Sequence, residues 1–256
     1  MSQIKACMNG PLILAIETAT RAGSVAVAKG RNVLSSRVGD ATVSHSANLI
    51  ELIQQVLYDA GATLSDINLF AAAVGPGSFT GLRIGLATVK ALASCTGRRV
   101  SGVSTLNAIA YASGSTGEVV ALLPAGRGEV FAQRFATGQG IVEAVDTAAH
   151  LSPGALLEKY GNLERVTWAG EGAGQQLQLL TTRARDQGWP LIDPIESGPG
   201  WTIISETGNL ANAVAALALK EEEAGRSLSA EELHAVYVRA SDAEINERWP
   251  QPKAEA

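Results

Sequence analysis

The sequence predicts an α/β protein in which one succession of elements, βββαβα, occurs twice. Apolar runs such as residues 69–74 are long enough for a buried strand and too short for a buried helix. Amphipathic stretches such as residues 46–60 carry their apolar side chains at helical spacing. After residue 119 the same succession begins again, although the two halves share little residue identity. We therefore predict two similar subdomains, residues 1–105 and 106–256.

Polar or glycine-containing turns separate the elements of the first half. Its predicted strands are short and apolar, and they cover residues 12–16, 24–28, 33–38, 69–74 and 100–103. Its predicted helices have helical periodicity and cover residues 46–60, 79–93 and 105–112. Gly61 ends the first of these helices, and the side chain of Ser78 is the predicted N-cap of the second.

The second half is divided in the same way. Its predicted strands cover residues 119–123, 129–135, 141–145 and 166–169. Its predicted helices cover residues 153–160, the stretch from the glycine-rich 170–174 to about 185, and residues 206–223. We expect the last helix to pack back between the halves. Residues 183–201 are expected to be irregular, residues 236–239 to be a short strand or extended arm, and the tail after Trp249 to be disordered.

Composition narrows the class of protein. The chain has 256 residues, of which 46% are hydrophobic and 18% charged, as in globular proteins. It has no apolar run of about 18 residues, and residues 12–16 are needed as the first strand, so neither a membrane span nor a signal peptide is expected. Two cysteines suit a reducing cytoplasm. A net charge of −5 indicates that any nucleic acid is contacted mainly by a partner.

The turn Gly-Pro-Gly at residues 75–77 is the most informative segment. Such a turn points backbone N–H groups and a helix N-terminus at one spot, which suits an anion or a closely packed neighbour. Glu17, Gly75, Gly77 and Ser78 are therefore candidate phosphate-binding residues. We favour a packing turn, because no Gly-Lys-Ser/Thr follows it and Thr80 replaces the third glycine of a dinucleotide-binding motif. Thr80 also breaks the Gly-x-Ser-x-Gly pattern around Ser78, so no catalytic nucleophile is predicted.

Several segments of the chain resemble the TsaB (YeaZ) family. The longest is GPGSFTGLRIGLATVKALA, residues 75–93, followed by GVSTL at 102–106. The shorter ones are ILAIETA at 13–19, HS at 45–46, RGEVF at 127–131 and VYVR at 236–239. The resemblance touches both halves of the chain. It implies the duplicated actin/Hsp70-like fold of the ASKHA, ribonuclease H-like group, which agrees with two βββαβα subdomains.

The resemblance also implies a function. Family members are non-catalytic subunits that bind TsaD and TsaE, in a complex that transfers a threonylcarbamoyl group to the adenosine next to the anticodon in tRNA. This chain would then hold no cofactor or metal, since TsaD and TsaE use the ATP and magnesium, and it would contact tRNA only through the complex. A homodimer is expected when TsaD is absent. The alternative is an ATP-dependent small-molecule kinase or transferase that acts alone through Glu17 and the turn at Gly75.

The chain departs from related patterns at two places. TsaD-like relatives carry an Asn-His-x-x-x-His motif, in which two histidines on one helix face bind a metal ion. Aligning Val103 onto that motif puts Thr105 and Ile109 at the histidine positions, so no metal site is predicted. The family's Asp-Ala-Arg turn is replaced by Pro-Ala-Gly at residues 124–126, with an arginine one position later. Residues 124–126 therefore lack the ionisable side chains of the family's turn.

Two predicted helices, residues 46–60 and 79–93, are the candidate docking elements. By resemblance they pair with the equivalent helices of TsaD in a shared bundle. The predicted interface residues are His45, Leu49, Ile53, Gly81, Gly85 and Val89. The alternative is that these side chains belong to the internal core of the protein.

Overall fold

Two mixed β-sheets form the framework of the protein, in a computed structural model whose described residues are 10–192 and 199–238. The strands of the first sheet are β1 (Leu12–Glu17), β2 (Ser24–Lys29), β3 (Asn32–Val38), β4 (Leu69–Gly75) and β5 (Arg99–Ser104). They are arranged in the order β3-β2-β1-β4-β5. The β1, β2 and β3 strands are antiparallel, whereas β1, β4 and β5 are parallel.

The second sheet repeats this topology. Its strands are β6 (Gly117–Gly126), β7 (Glu129–Gly138), β8 (Ile141–Ala144), β9 (Ala149–Leu151), β10 (Arg165–Ala169) and β11 (Gly200–Ile204). The order is β8-β7-β6-β10-β11, with β9 paired to β7. Because β6, β10 and β11 are parallel like β1, β4 and β5, the predicted duplication is confirmed.

The helices cover both faces of each sheet. They are α1 (His45–Asp59), α2 (Phe79–Thr96), α3 (Thr105–Ala112), α4 (Pro153–Tyr160), α5 (Glu171–Gln175), α6 (Leu177–Asp186) and α7 (Leu210–Glu223), with a 3₁₀ helix at Leu64–Asp66. The α1 helix packs on β2 and β3, and α2 packs on β4. The central strands β1 and β4 are buried along their whole length, as parallel strands covered on both faces should be. No helix within residues 10–192 and 199–238 has the length and apolar character that a membrane crossing needs.

Two helices lie against both sheets or between them: α3, at the proposed boundary, and α7, from the second half. The α3 helix contacts β4 and β5 of the first sheet and β6, β7 and β8 of the second, whereas α7 contacts β1, β2, β4 and β5. The two helices also contact each other, so they lie between the sheets. The division into two subdomains at residue 105 stays a proposal. The hydrophobic cores of the two sheets are joined by α3 and α7, which pack between them.

The structure corrects several predicted elements. The helix expected from the glycine-rich stretch to about residue 185 is divided into α5 and α6 at Gln176. The last helix begins at Leu210 rather than at residue 206, because the side chain of Asn209 caps it and accepts from the N–H of Ala211 at 3.0 Å. Within the stretch expected to be irregular, α6 extends to Asp186 and β11 begins at Gly200. The tail after Trp249 lies outside the described residues.

Residues 236–239 were predicted to be a short strand or an extended arm. Their described part, residues 236–238, is not a strand and belongs to a longer return segment, residues 226–238, that crosses back to the first half. Leu228 exchanges two backbone hydrogen bonds with Val100 of β5, at 2.8 and 2.9 Å. Leu233 is buried in the first core, and the N–H of Val236 donates to the carbonyl of Val74 at 2.8 Å. The return segment therefore covers the β5 edge of the first sheet.

Candidate functional site

A buried carboxylate at the end of β1 organises the loop that follows it. The side chain of Glu17 is 1% exposed. It accepts hydrogen bonds from the backbone N–H of Thr20 at 2.6 Å, the hydroxyl of Thr20 at 2.8 Å and the hydroxyl of Ser24 at 3.2 Å. The oxygen of Ser24 in turn accepts from the N–H of Ala211 in the first turn of α7, at 3.1 Å. This network connects the loop at residues 17–23 to the helix contributed by the other half.

The same loop lies directly against α2. A Cβ atom at Gly81 would overlap the carbonyl oxygen of Thr18, and a Cβ atom at Gly85 would overlap the hydroxyl of Thr18. A Cβ atom at Gly77 would lie 2.6 Å from the side chain of Ala19. The glycines of the GPGSFTGLRIG segment therefore allow the loop to approach the helix more closely than any other residue would.

His45, the first residue of α1, joins this contact. Its Nε2 donates to the carbonyl of Thr20 at 3.0 Å, and its ring lies against Gly23 and Gly81. The N-termini of α1 and α2 are thus held on the same loop. Ser24 and the return segment were not identified as part of this region from the sequence. No local signal could reveal them, because both reach it through long-range packing.

The candidate phosphate residues are brought near one another, but the side chains of Glu17 and Ser78 are already hydrogen-bonded within the chain. The hydroxyl of Ser78 caps α2 and accepts from the N–H of Gly81 at 3.1 Å, as predicted. The N–H of Ser78 donates to the carbonyl of Ala19 at 2.8 Å. The carbonyl of Val236 lies over Gly75, close enough to exclude a side chain there. These contacts support the packing interpretation of the turn; phosphate binding itself stays a prediction.

An open cleft of about 380 Å³ lies between the two halves beside this turn. Its walls come from the loop after β1, the glycine turn, the β6–β7 hairpin and the end of the return segment. Pro124, Ala125 and Gly126, which replace the family's Asp-Ala-Arg turn, line it without ionisable groups. Its charged lining residues are Arg21 and Glu171. A neighbouring cavity of about 330 Å³ reaches Glu17.

The positions aligned with the metal-binding histidines are inside the core. Thr105 is fully buried, and Ile109 is 1% exposed among apolar side chains that include Leu106 and Phe131. Within the described part of the chain, no three His, Cys, Asp or Glu side chains are placed so that they could hold a metal ion.

The predicted interface residues lie largely inside the protein. Leu49, Ile53 and Val89 belong to the core between the first sheet and its helices, and Gly81 and Gly85 face Thr18. His45 is half-buried. Docking through α1 and α2 stays a prediction, and a partner would meet the outward residues of these helices instead. They include Ile50, Gln54 and Tyr58 on α1, and Ala87 and Ala91 on α2.

Glu17→Gln should show how much the buried carboxylate of Glu17 lowers the free energy of unfolding. Burial raises the pKa of the Glu17 carboxyl above its ordinary value of 4.5, and this outweighs the hydrogen bonds from Thr20 and Ser24, which lower it. The folded state then binds the proton more tightly than the unfolded state. The wild type's free energy of unfolding should therefore fall as pH rises from 4.5 through the raised pKa.

The glutamine variant lacks this titration. In urea unfolding at a series of pH values, the stability of Glu17→Gln relative to the wild type should rise across that pH window. A difference that stays constant or shrinks with rising pH would contradict a raised pKa.

Comparisons with known proteins agree with this architecture. A family model described as TsaD, tRNA N6-adenosine threonylcarbamoyltransferase, matches residues 39–251. The tRNA threonylcarbamoyladenosine biosynthesis protein TsaB of Escherichia coli is 35% identical over 169 residues, which are 64% of this chain and 72% of that protein. The solved structure of YeaZ from Pseudomonas aeruginosa has a TM-score of 0.70 at 25% identity, covering 89% of this chain and 99% of that chain.

A more distant structure extends the comparison of the fold. Component A of (R)-2-hydroxyglutaryl-CoA dehydratase from Acidaminococcus fermentans has a TM-score of 0.51 at 12% identity, covering 84% of this chain and all of that chain. With the YeaZ structure it confirms the predicted duplicated fold of the actin/Hsp70 type. By its sequence relatives and by its structure, this chain belongs to the TsaB (YeaZ) family.

Proposed function

We propose that the protein is a non-catalytic docking subunit for TsaD in the biosynthesis of threonylcarbamoyladenosine in tRNA. The family membership established above supports the role in this pathway. Docking on TsaD and the absence of a catalytic centre in this chain are our own proposals. TsaD would then carry the metal and the transfer chemistry, and TsaE would join as a third subunit.

The observation that carries the non-catalytic part is the chemistry of the residues at the aligned histidine positions. A catalytic metal needs imidazole, thiolate or carboxylate donors with a position left open for substrate. Ile109 has no donor atom, and its side chain packs against Gly170 in the apolar core. The hydroxyl of Thr105 is fully buried. The two aligned positions therefore offer no pair of strong metal donors, which supports a non-catalytic role.

The outward side of α1 and α2 supports docking. Ile50 and Tyr58 are 56% and 85% exposed, so two large side chains project from α1. Ala87 and Ala91 are exposed on α2, which packs beside α1. Large residues on one helix and small residues on its neighbour form ridges and grooves of the kind that a second helix pair can fill. TsaD is the proposed occupant, and a second copy of this chain is the proposed occupant when TsaD is absent.

Nucleotide, magnesium and most of the tRNA contact are assigned to the partners in this proposal. The net charge of −5 makes strong binding of RNA by the isolated chain unfavourable. We place the complex in the cytoplasm, the compartment that contains the tRNA and that suits a chain with two cysteines.

Reconstitution is the test of this function. Modification of tRNA by TsaD, TsaE and a separate enzyme that makes threonylcarbamoyl-AMP, with ATP, threonine and bicarbonate, should require addition of this chain. The physical reason is that a subunit acts on its partner only by binding one state better than another. The readout is the threonylcarbamoyladenosine content of the tRNA.

Controls separate this proposal from an independent enzyme. The isolated chain with ATP and magnesium should neither bind the nucleotide tightly nor turn it over. Modification that proceeds equally well without the chain would refute the docking role. Tight magnesium-dependent ATP binding by the chain alone would instead favour a kinase or transferase.

A further inference from the structure

The docking role leaves an aromatic cluster at the mouth of the cleft unexplained. The rings of Phe79 and Tyr237 lie 5.2 Å apart between centroids, with planes inclined by 38°. The guanidinium carbon of Arg83 lies 3.9 Å from the centroid of the Phe79 ring. These three side chains, which we call the aromatic rim, stand where Phe79 and Tyr237 both line the cleft.

The fold holds the aromatic rim in place from two directions. Phe79 is the first residue of α2, and Arg83 follows four positions later on the same helix face. Tyr237 arrives on the return segment, whose Val236 N–H is bonded to the carbonyl of Val74 at the end of β4. The cluster is therefore anchored to the central strand of the first sheet rather than to a free loop.

Packing leaves part of the cluster open. Tyr237 is 46% exposed although it contacts Phe79, so part of this residue is accessible to solvent beside the cleft. Arg83 already lies over Phe79 as a cation–π partner. The outer part of Tyr237 is thus the surface on which a further planar group would stack.

The surroundings of the aromatic rim combine positive charge with hydroxyl groups. Arg21 lines the cleft, and its Nε donates to the carbonyl of Ala41 at 3.2 Å, which holds the side chain there. Thr20 and Ser78 contribute the polar part of the wall. The charged residues that line the cleft are Arg21 and Glu171, and Arg83 adds a second guanidinium group over the ring of Phe79, in a chain whose overall charge is −5. A planar ligand with anionic groups fits this combination.

We propose that the aromatic rim binds an unstacked nucleobase of an RNA loop, with Tyr237 as the stacking surface and Arg21 and Arg83 facing the phosphates. Sequence-tolerant stacking on an aromatic ring beside arginines is a common way to hold single-stranded RNA. The inference rests on the proposed function, since the RNA would be the tRNA held by the complex with TsaD. It adds a direct contact between this chain and the anticodon arm.

Tyr237→Ala tests the proposal in the full complex, with Tyr237→Phe as the matched control. The affinity of the complex for tRNA, measured by fluorescence anisotropy, should fall about fivefold or more with alanine and remain close to wild type with phenylalanine. Arg83→Gln should lower the slope of log affinity against log salt by about one, as expected when one phosphate contact is lost.

Further measurements decide between the possible occupants. Size-exclusion chromatography reports whether each variant still assembles with TsaD; loss of assembly by Tyr237→Ala would make the aromatic rim a protein contact and overturn the proposal. If the complex assembled with Tyr237→Ala bound tRNA as tightly as the wild type does, the proposal would also be overturned. So would AMP binding that depends on Tyr237 while tRNA binding does not.

A second experiment uses the isolated chain and does not depend on TsaD. At low salt, a labelled single-stranded RNA oligonucleotide should bind the wild type more tightly than Tyr237→Ala. This outcome without any assembly with TsaD would preserve the RNA contact and refute only the docking function. Equal binding of the oligonucleotide by the wild type and Tyr237→Ala would contradict the proposed contact between Tyr237 and RNA.

Discussion

Gly81→Ala should destabilise the folded protein by about 3 kcal/mol, the upper part of the range for overpacked sites. A Cβ atom at residue 81 would overlap the carbonyl oxygen of Thr18, a backbone atom in the buried loop after β1. That loop has little room to yield, because Glu17, Ser78 and His45 all hydrogen-bond to its residues. We expect a lower urea midpoint with an unchanged slope of the transition.

A second helical glycine provides the control for this prediction. Gly154 is the second residue of α4, and a Cβ atom added there would meet nothing within 4 Å. Gly154→Ala should therefore be neutral or stabilise the protein by up to about 1 kcal/mol through helix propensity. If both alanine variants shifted the urea midpoint equally, the close approach of Thr18 to α2 would not be the reason for the glycine.

Ile50→Glu should weaken the binding of TsaD at least tenfold, about 1.4 kcal/mol, and abolish modification at limiting subunit concentration. Ile50 projects from α1 with 56% of its surface exposed, so the isolated chain buries little of it. A charge at the centre of an apolar interface remains unpaired when the interface closes, which is the source of the loss. The stability of the isolated protein should change by less than about 0.5 kcal/mol.

Isothermal titration with TsaD measures this effect, and Ile141→Glu is the matched control. Ile141 is 54% exposed at the start of β8, on the edge of the second sheet and away from α1 and α2. The control should bind TsaD like the wild type. An Ile50 variant that also binds normally would remove α1 from the docking surface, whereas loss in both variants would point to general aggregation or misfolding.

The sequence alone determined most of the local structure. Short apolar runs between polar turns identified β1 to β8 and β10, and helical spacing with an N-cap at Ser78 identified α2. These elements depend on side-chain periodicity and capping, which act over a few residues and are therefore visible in the chain. β9 and β11 were missed because short segments flanked by turn residues become strands only when neighbouring strands pair with them.

The GPGSFTG motif was recognisable in the sequence, but its purpose was not. Gly81 and Gly85 were predicted either to meet a helix of TsaD or to belong to the internal core of the protein. The tertiary structure puts Thr18 of the same chain against Gly81 and Gly85, and it buries Leu49, Ile53 and Val89 in the core. A helical pattern shows that a face is covered; it does not show whether the cover comes from the same chain.

Only the tertiary structure decided how the two halves fit together. The packing of α3 and α7 between the sheets, the hydrogen bond from Ala211 to Ser24 and the contact of Tyr237 with Phe79 all join residues far apart in the chain. Such contacts arise because apolar faces and unpaired strand edges must be covered by whatever part of the fold reaches them. The sequence by itself determined the elements and the family, whereas long-range packing decided which side chains remain at the surface to meet a partner.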